Sequence, residues 1–251
     1  MENRKEGTTF ESFIEEIKPV YRAEKQKLLD EILSFRQEYS FLKSKSVLQF
    51  IGESHLERHH SKLLEYIWKS NQRIFLDFIL SIPQLSNNEQ LREWILEGNY
   101  SIGSEMKTTD GKFIDLLITD NKKRFCIVIE NKINSAVSRY GNDKLQLDSY
   151  YKHVNKKMPK NTEKYFLLLS HRDNKKYTVK NKWIYTSYYP VFHSITTNIS
   201  NYSVEDDYLK QYAEALFSIL FNSEEMWDNI DEQTPISVMS LFYQNIITKI
   251  K

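Results

Sequence analysis

The sequence predicts an α/β fold in which a mixed central β-sheet is flanked by helices, with an α-helical N-terminal extension and a helical C-terminus. Apolar residues recur at helical spacing over residues 1–98 and again over residues 191–251. Short continuous apolar runs of strand length fill residues 99–190. No repeat, low-complexity segment or linker separates these parts, so we expect a single domain over residues 1–251.

The N-terminal part predicts helices only. Helical spacing of apolar residues indicates helices at residues 21–39, 56–69 and 74–82, the last of them ended by Pro83. Asn87 or Asn88 is a candidate N-cap for a short fourth helix, because an amide oxygen can accept a hydrogen bond from a first-turn N–H group.

The middle of the chain predicts the sheet. Strands are expected near residues 100–106, 113–118 and 125–129, with a polar hairpin loop at residues 119–124. A helix at residues 145–154 and strands at 165–169 and 183–185 follow, which gives a mixed sheet with one crossover connection. The C-terminal helices are expected at residues 191–199, 208–221 and 236–247.

Composition limits the class of protein. The chain has one cysteine, so it can form no intrachain disulfide and no cysteine-based zinc cluster. Cys126 lies within an apolar run and is expected to be a small buried hydrophobe. The N-terminus lacks the apolar segment of a signal peptide, and no run reaches the length of a membrane span. We expect a cytoplasmic protein with no membrane partner.

The formal net charge of +1 hides an uneven charge distribution. Residues 139–182 contain twelve Lys and Arg but four Asp and Glu, whereas residues 205–232 contain nine acids and one lysine. A basic segment of this kind suits a polyanionic substrate such as a nucleic acid. A solvated basic face explains the same pattern equally well.

Acidic residues stand at the ends of two neighbouring predicted strands. Asp115 enters one apolar strand, and Glu130 leaves the next. Lys132 lies two positions after Glu130, so the two side chains share a face of the strand, while Asn131 points away. The carboxylates, with the backbone carbonyl of Asn131, are candidate ligands for a divalent metal, and the ammonium could orient a water or stabilise developing negative charge. The alternative is that these residues are ordinary strand ends that emerge into solvent.

These residues resemble the motif of the PD-(D/E)xK nuclease superfamily. The resemblance is carried by Ile114-Asp115, by Glu130-Asn131-Lys132, and by Gln146 and Tyr150, one turn apart on the following helix. The usual proline before the aspartate is replaced by Ile114. The upstream segment Glu57-Arg58-His59-His60-Ser61 is similar to the Glu-x-x-His-Ser helix of a poorly characterised bacterial branch, and the similarity covers roughly residues 55–200.

The resemblance implies a restriction-endonuclease-like core and assigns roles to residues. Asp115 and Glu130 would bind Mg²⁺, with Mn²⁺ as a substitute, and Lys132 would serve catalysis. Glu57 would assist the metal or the water from its helix, with Glu53, Glu65 and Glu105 as rivals, and Gln146 would help position the phosphate or the site. His60, Ser61 and Tyr150 are candidates for contact with the substrate.

Three functions compete at this point. The leading one is a metal-dependent nuclease, acting more on DNA than on RNA, as an endonuclease in bacterial genome or anti-phage defence. The second is a non-catalytic nucleic-acid-binding or assembly module on a nuclease scaffold, and the third is a helical interaction protein. A homodimer and a protein partner that supplies specificity or activation are further expectations. His55 and His59 have the spacing of a zinc pair, but no third ligand is evident, so structural or phosphate-contacting histidines are favoured.

Overall fold

The computed structural model describes residues 10–43, 46–140, 144–178, 182–199, 207–221 and 230–250. The chain divides into two compact units, Ser44–Leu220 and a second unit formed by Met1–Lys43 with Phe221–Lys251. The prediction of one domain, with parts divided at residues 98 and 190, stays a prediction. No helix in the described ranges is long and apolar enough to cross a membrane.

The larger unit contains a five-stranded mixed sheet, as predicted. Its strands, in spatial order, are β1 (Tyr100–Lys107), β2 (Phe113–Asp120), β3 (Phe125–Lys132), β6 (Glu163–Ser170) and β7 (Trp183–Thr186). β1, β2 and β3 pair antiparallel, whereas β3 pairs parallel with β6, and β6 parallel with β7. The prediction of a single crossover was wrong, because both parallel pairs need a crossover connection. A separate pair of two-residue strands, β4 (Arg139–Tyr140) and β5 (Lys144–Leu145), lies between β3 and the next helix.

Helices cover both faces of this sheet. The helices between Ser46 and Phe221 are α2 (Val47–Phe50), α3 (Glu57–Ser70), α4 (Gln72–Leu80), α5 (Glu89–Leu96), α6 (Gln146–Lys157), α7 (Tyr189–Ile199) and α8 (Asp207–Phe221). Asn88 caps α5 by accepting a hydrogen bond from the Leu91 N–H, as the sequence predicted. Side chains of α6 share a core cluster with Val128, whereas the side chain of Asn131 contacts α3. Because residues 128 and 131 point to opposite faces of β3, α3 and α6 lie on opposite sides of the sheet.

Strand β3 lies at the centre of the sheet and is buried along its whole length. Cys126 is fully buried there, which confirms the role expected from the sequence. The predicted loop between β2 and β3 is shorter than expected, because Thr119 still pairs with Cys126. Asp120 ends β2 and accepts hydrogen bonds from the Arg124 backbone and guanidinium at 2.9–3.0 Å, which closes the turn.

The smaller unit is helical. It contains α1 (Phe10–Glu38), a 3-10 turn (Ser40–Lys43), α9 (Ile236–Phe242), a π-helical turn (Tyr243–Ile247) and α10 (Thr248–Ile250). The rings of Phe35 and Phe242 pack with their centroids 6.4 Å apart, and Arg36 donates a hydrogen bond to the Ile230 carbonyl at 2.8 Å. The helix predicted at residues 236–247 therefore forms, with its last part wound more loosely as a π-turn.

Glu214 on α8 is a buried acid that should make stability depend on pH. Burial raises the pKa of Glu214 to about 7, and its Oε2 atom has no hydrogen-bond partner among the described residues. The pKa of Glu214 is higher in the folded than in the unfolded protein. Ionisation of Glu214 therefore does not reduce the free energy of unfolding below about pH 4.5, and reduces it increasingly as the pH rises towards 7.

We therefore expect Glu214→Gln to raise the free energy of unfolding at pH 8, by about 1–3 kcal/mol, and to leave it unchanged near pH 4.5. Urea unfolding at both pH values measures the difference, with Glu93→Gln on an exposed helix face as the matched control. An equal effect at both pH values would contradict the assignment.

Candidate active site

The register of β2 and β3 brings Asp115 and Glu130 together. The last paired residues of this ladder are Leu116 and Ile129, and one step further along the same register Asp115 faces Glu130. Here the Asn131 N–H donates to Asp115 Oδ2 at 2.7 Å. Just beyond the last β2–β3 pair, an Asp115 carboxylate oxygen thus accepts a hydrogen bond from a backbone N–H group. This bond fixes the orientation of the carboxylate.

Lys132 points to the same face as Glu130, as the spacing predicted. Its Nζ lies 2.7 Å from Glu130 Oε1 and 3.2 Å from Glu57 Oε2. Glu130 is 0% exposed and Lys132 is 6% exposed, whereas Asp115 and Glu57 are partly exposed. The four side chains therefore form a charged cluster that is buried at Glu130 and Lys132 and partly open to solvent at Asp115 and Glu57.

Glu57 is the first residue of α3, where the positive end of the helix dipole favours an acid. Its Oε1 accepts hydrogen bonds from the Ile133 N–H at 3.0 Å and from Ser135 Oγ at 2.7 Å. Glu57 therefore holds the segment that leaves β3, besides contacting Lys132. Sequence reasoning missed Ser135, because a lone serine after a strand carries no signal.

The side chain of Asn131 lies on the opposite face of β3 and joins the sheet to the helices. Its Nδ2 donates to the Glu57 carbonyl at 3.1 Å and to Ser61 Oγ at 3.2 Å. The hydroxyl of Tyr188 donates to Asn131 Oδ1. Tyr188 is fully buried and was not among the predicted site residues.

His60 is a buried structural residue in this geometry. Burial lowers the pKa of His60 to about 4, so the ring is neutral at pH 7. Its Nε2 lies 2.8 Å from the Ser54 carbonyl and its Nδ1 lies 3.1 Å from the Tyr212 hydroxyl. The proton is therefore on Nε2, and Nδ1 accepts from Tyr212. Because the polar atoms of His60 and Ser61 are used inside the protein, their contact with substrate stays a prediction that the geometry does not favour.

Gln146 and Tyr150 connect α6 to the start of β2. Gln146 Nε2 donates to the Tyr150 hydroxyl at 2.7 Å, and that hydroxyl donates to the Phe113 carbonyl, two residues before Asp115. Gln146 Oε1 is buried and has no hydrogen-bond partner among the described residues. Tyr150 is almost fully buried, so it supports the position of β2, and its predicted contact with substrate stays a prediction.

The cluster contains more acidic than basic side chains, and this shifts their pKa values. Burial raises the pKa of Asp115 to about 6, against the opposing effect of Lys132. Burial, and then the nearby Asp115 charge, raise the pKa of Glu130 well above its ordinary value. Burial alone would lower the pKa of Lys132, but the carboxylates of Glu130, Asp115 and Glu57 outweigh it and keep that pKa above its ordinary value. One ammonium thus faces three acids.

The donor set fits a hard divalent cation. Among the described residues, no group donates a hydrogen bond of good geometry to either Glu130 oxygen, although Lys132 Nζ lies close to Oε1. Two carboxylates and a carbonyl are the oxygen ligands that Mg²⁺ takes, with water or phosphate oxygens completing the shell. Glu105 opposes Asp115 in the register of β1 and β2 and adopts a left-handed φ of 53°. Glu105 therefore stays a rival of Glu57 for the additional acid.

The zinc alternative gains no support. His55 lies before the start of α3, so it does not share a helical face with His59, whose Nδ1 lies 3.4 Å from Glu53 Oε2. Within the described part of the chain, no three His, Cys, Asp or Glu side chains converge in the arrangement of a ready-made metal site. A metal at Asp115 and Glu130 would therefore take its remaining ligands from backbone, water or substrate oxygens.

The fold and site together define a class: a mixed sheet flanked by helices, with the restriction-endonuclease-like arrangement of two acids and a lysine at one sheet end. The family model of the PD-(D/E)XK nuclease superfamily matches residues 46–230, so the chain belongs to this superfamily. Membership makes it a nuclease in general terms, with nucleic acid as substrate, in a family that generally uses divalent metals. No curated protein and no solved structure matches the chain.

The effect of removing one buried acid on the stability of the protein can be measured without any substrate. Glu130→Gln removes one of three acids around Lys132 and leaves Glu57 and Asp115 to neutralise the ammonium, so we expect the melting temperature of the protein in EDTA at pH 8 to rise by about 2–4 °C for each kcal/mol relieved. Added Mg²⁺ or Mn²⁺ should raise the melting temperature of the wild type but not that of the variant.

Thermal unfolding with and without metal tests both statements. Glu24→Gln, on an exposed part of α1, is the matched control and should retain the full metal response. A variant that is less stable in EDTA and still responds to metal would contradict the account.

Proposed function

We propose that this chain is a Mg²⁺-dependent endonuclease that hydrolyses phosphodiester bonds in DNA. The observation that carries the proposal is the buried cluster of Asp115, Glu130 and Lys132, in which one ammonium stands against an excess of carboxylates. Burying like charges is costly unless they are neutralised, so the cluster is best explained as a site for a divalent cation. Such a site beside a nuclease motif suits cleavage of a phosphate ester.

Asp115, Glu130 and the carbonyl of Asn131 are the proposed metal ligands. The Asn131 N–H already orients one oxygen of Asp115, which leaves the other oxygen for a ligand role. When bound, the cation supplies Lewis-acid polarisation of the phosphate and lowers the pKa of a coordinated water. Mg²⁺ is proposed because it is held by few carboxylates and shares its shell with substrate phosphates, and Mn²⁺ is expected to replace it.

Lys132 is the proposed catalytic cation. Its ammonium lies between Glu130 and Glu57, so it stays charged and can orient the attacking water or stabilise charge on the phosphate oxygens. Glu57 is proposed as a positioning residue, because its carboxylate holds both Lys132 and the Ile133 N–H. Gln146 is proposed to help position the phosphate or the site: its amide nitrogen holds the Tyr150 hydroxyl, and its buried oxygen, which has no hydrogen-bond partner among the described residues, is an acceptor for a water or a cation.

The finer parts of the proposal rest on resemblance to the superfamily. DNA as substrate, endonucleolytic cleavage and a role in bacterial genome or anti-phage defence are proposed on that ground. A homodimer, a protein partner that supplies specificity or activation, and a cytoplasmic location also stay predictions. A non-catalytic binding module is less favoured, because buried like charges reduce stability and a site without catalysis has no function that requires them.

Metal-dependent cleavage is the direct test. We expect circular and linear DNA, single- and double-stranded, to be cut with Mg²⁺ or Mn²⁺ and left intact in EDTA. Lys132→Ala and Asp115→Asn should each lower the single-turnover rate by about a hundredfold or more, because each removes preorganised charge at the reacting phosphate.

Lys122→Ala is the matched control, since this exposed lysine lies in the turn at the opposite end of β2 and β3. Cleavage of circles identifies an endonuclease, and the same substrates made of RNA test the choice of nucleic acid. Equal rates for Lys132→Ala and Lys122→Ala would refute the assigned site, and metal-sensitive DNA binding without turnover would favour the binding module.

A further inference from the structure

A basic pocket lies beside the proposed active site. It has a volume of about 450 Å³ and is formed by the end of β1, the turn that follows it and the C-terminal half of α6. The lining residues are Lys107, Thr108, Thr109, His153, Lys156 and Lys157. Three ammonium groups, two hydroxyls and an imidazole thus surround a space that has no acid among the lining residues in the described part of the chain.

Hydrogen bonds between the turn and α6 shape this basic pocket. Ser149 Oγ donates to Asp110 Oδ2 at 2.6 Å, and the Lys112 N–H donates to Thr108 Oγ1 at 3.0 Å. The pocket therefore has fixed walls, since the turn is closed upon itself and tied to the helix. Asp110 lies in this turn, and its carboxylate is already engaged by Ser149, by Thr108 and by Lys112 at 3.5 Å.

His153 presents a donor to this space. Its Nδ1 lies 3.4 Å from the Thr109 backbone nitrogen and 3.2 Å from Thr109 Oγ1. Because the Thr109 N–H can only donate, Nδ1 accepts, and the ring proton of the neutral imidazole is on Nε2. Burial, followed by the charge of Lys157, lowers the pKa of His153. An N–H donor and flexible ammonium groups together suit phosphate oxygens.

The basic pocket and the proposed metal site share one end of the sheet. Lys107, the last residue of β1, pairs with Phe113, and Asp115 lies two residues further along β2. At a strand rise of about 3.3 Å per residue, this is a backbone distance of about 7 Å. Tyr150 of α6 is tied to the Phe113 carbonyl, and the pocket residues of α6 follow Tyr150 by one and two helical turns. A polyanionic strand at the metal site can therefore continue across the pocket.

We propose that the basic pocket binds a backbone phosphate of the nucleic acid, on one flank of the phosphate that is cleaved. This inference rests on the proposed function and extends it, because it states on which side of the active site the nucleic-acid strand continues. Contacts from lysine, threonine and histidine to phosphate position the backbone and carry no sequence information. The pocket should therefore contribute to binding of every sequence and leave the rate of the bound substrate unchanged.

The test compares two double variants with the same change in charge. Lys156→Gln with Lys157→Gln alters the pocket, and Lys122→Gln with Lys123→Gln alters exposed lysines in the turn at the opposite end of β2 and β3. Binding of labelled duplexes of about 10 and 30 base pairs is measured over a range of salt concentrations. The Asp115→Asn background keeps the DNA intact.

The pocket variant should weaken binding several-fold for unrelated sequences and lower the slope of log K against log salt by about 1 to 2, whereas the control should not. In the otherwise wild-type chain the pocket variant should raise KM and leave kcat unchanged. Equal affinities and slopes for the two double variants would overturn the proposal.

Two further outcomes separate this inference from the proposed function. If the wild type cuts no nucleic acid but the pocket variant still loses its salt-dependent binding, the pocket proposal stands and the catalytic proposal fails. Thermal stabilisation by inorganic phosphate tests a free anion as the occupant. Its loss in the pocket variant, with DNA binding unchanged, would overturn the proposal in favour of a site for small anions.

Discussion

The charge balance of a buried cluster governs this site. Lys132 is, among the described residues, the one cation between Glu130, Glu57 and Asp115, and its Nζ lies 2.7 Å from Glu130 Oε1. At an effective dielectric constant of about 20, such a contact is worth about 6 kcal/mol, which is comparable with the several kcal/mol needed to desolvate each ion. One contact therefore offsets one acid, and the second acid requires a proton or a divalent cation. This requirement connects the fold to metal-dependent chemistry.

The surrounding structure serves to hold that cluster in place. The Asn131 backbone N–H orients Asp115 on one face of β3, while its side chain is bound by Ser61 and Tyr188 on the other face. Asn131 thereby links α3 to the carboxylate of Asp115. Glu57 makes a second connection, from the start of α3 to the chain that leaves β3. Preorganisation of this kind is what charge stabilisation at a reacting phosphate needs.

Much of the fold could be predicted from sequence periodicity, because the patterns that indicate strands and helices are local. A strand shows an apolar alternation or a continuous apolar run, and a helix shows a 3.6-residue period. The juxtaposition of Glu130 and Lys132 was predictable for the same reason, because alternation on a strand is a local rule. The second crossover was not, because strand order depends on long-range pairing between β6 and β7. Tyr188 was missed for a similar reason: it lies 57 positions from its partner Asn131. The substrate contact of His60 stays a prediction, and the burial of its ring beside Tyr212 could not be foreseen, because no local pattern encodes it.

The most direct measurement is the anomalous difference map of a crystal grown with Mn²⁺. The account predicts one peak within ligand distance of the Asp115 and Glu130 carboxylates, about 2.1 Å as for Mg²⁺, and the loss of this peak in Glu130→Gln. A well-ordered site without a peak at saturating Mn²⁺, with Lys132 still paired to Glu130, would contradict the claim that this cluster is a metal centre.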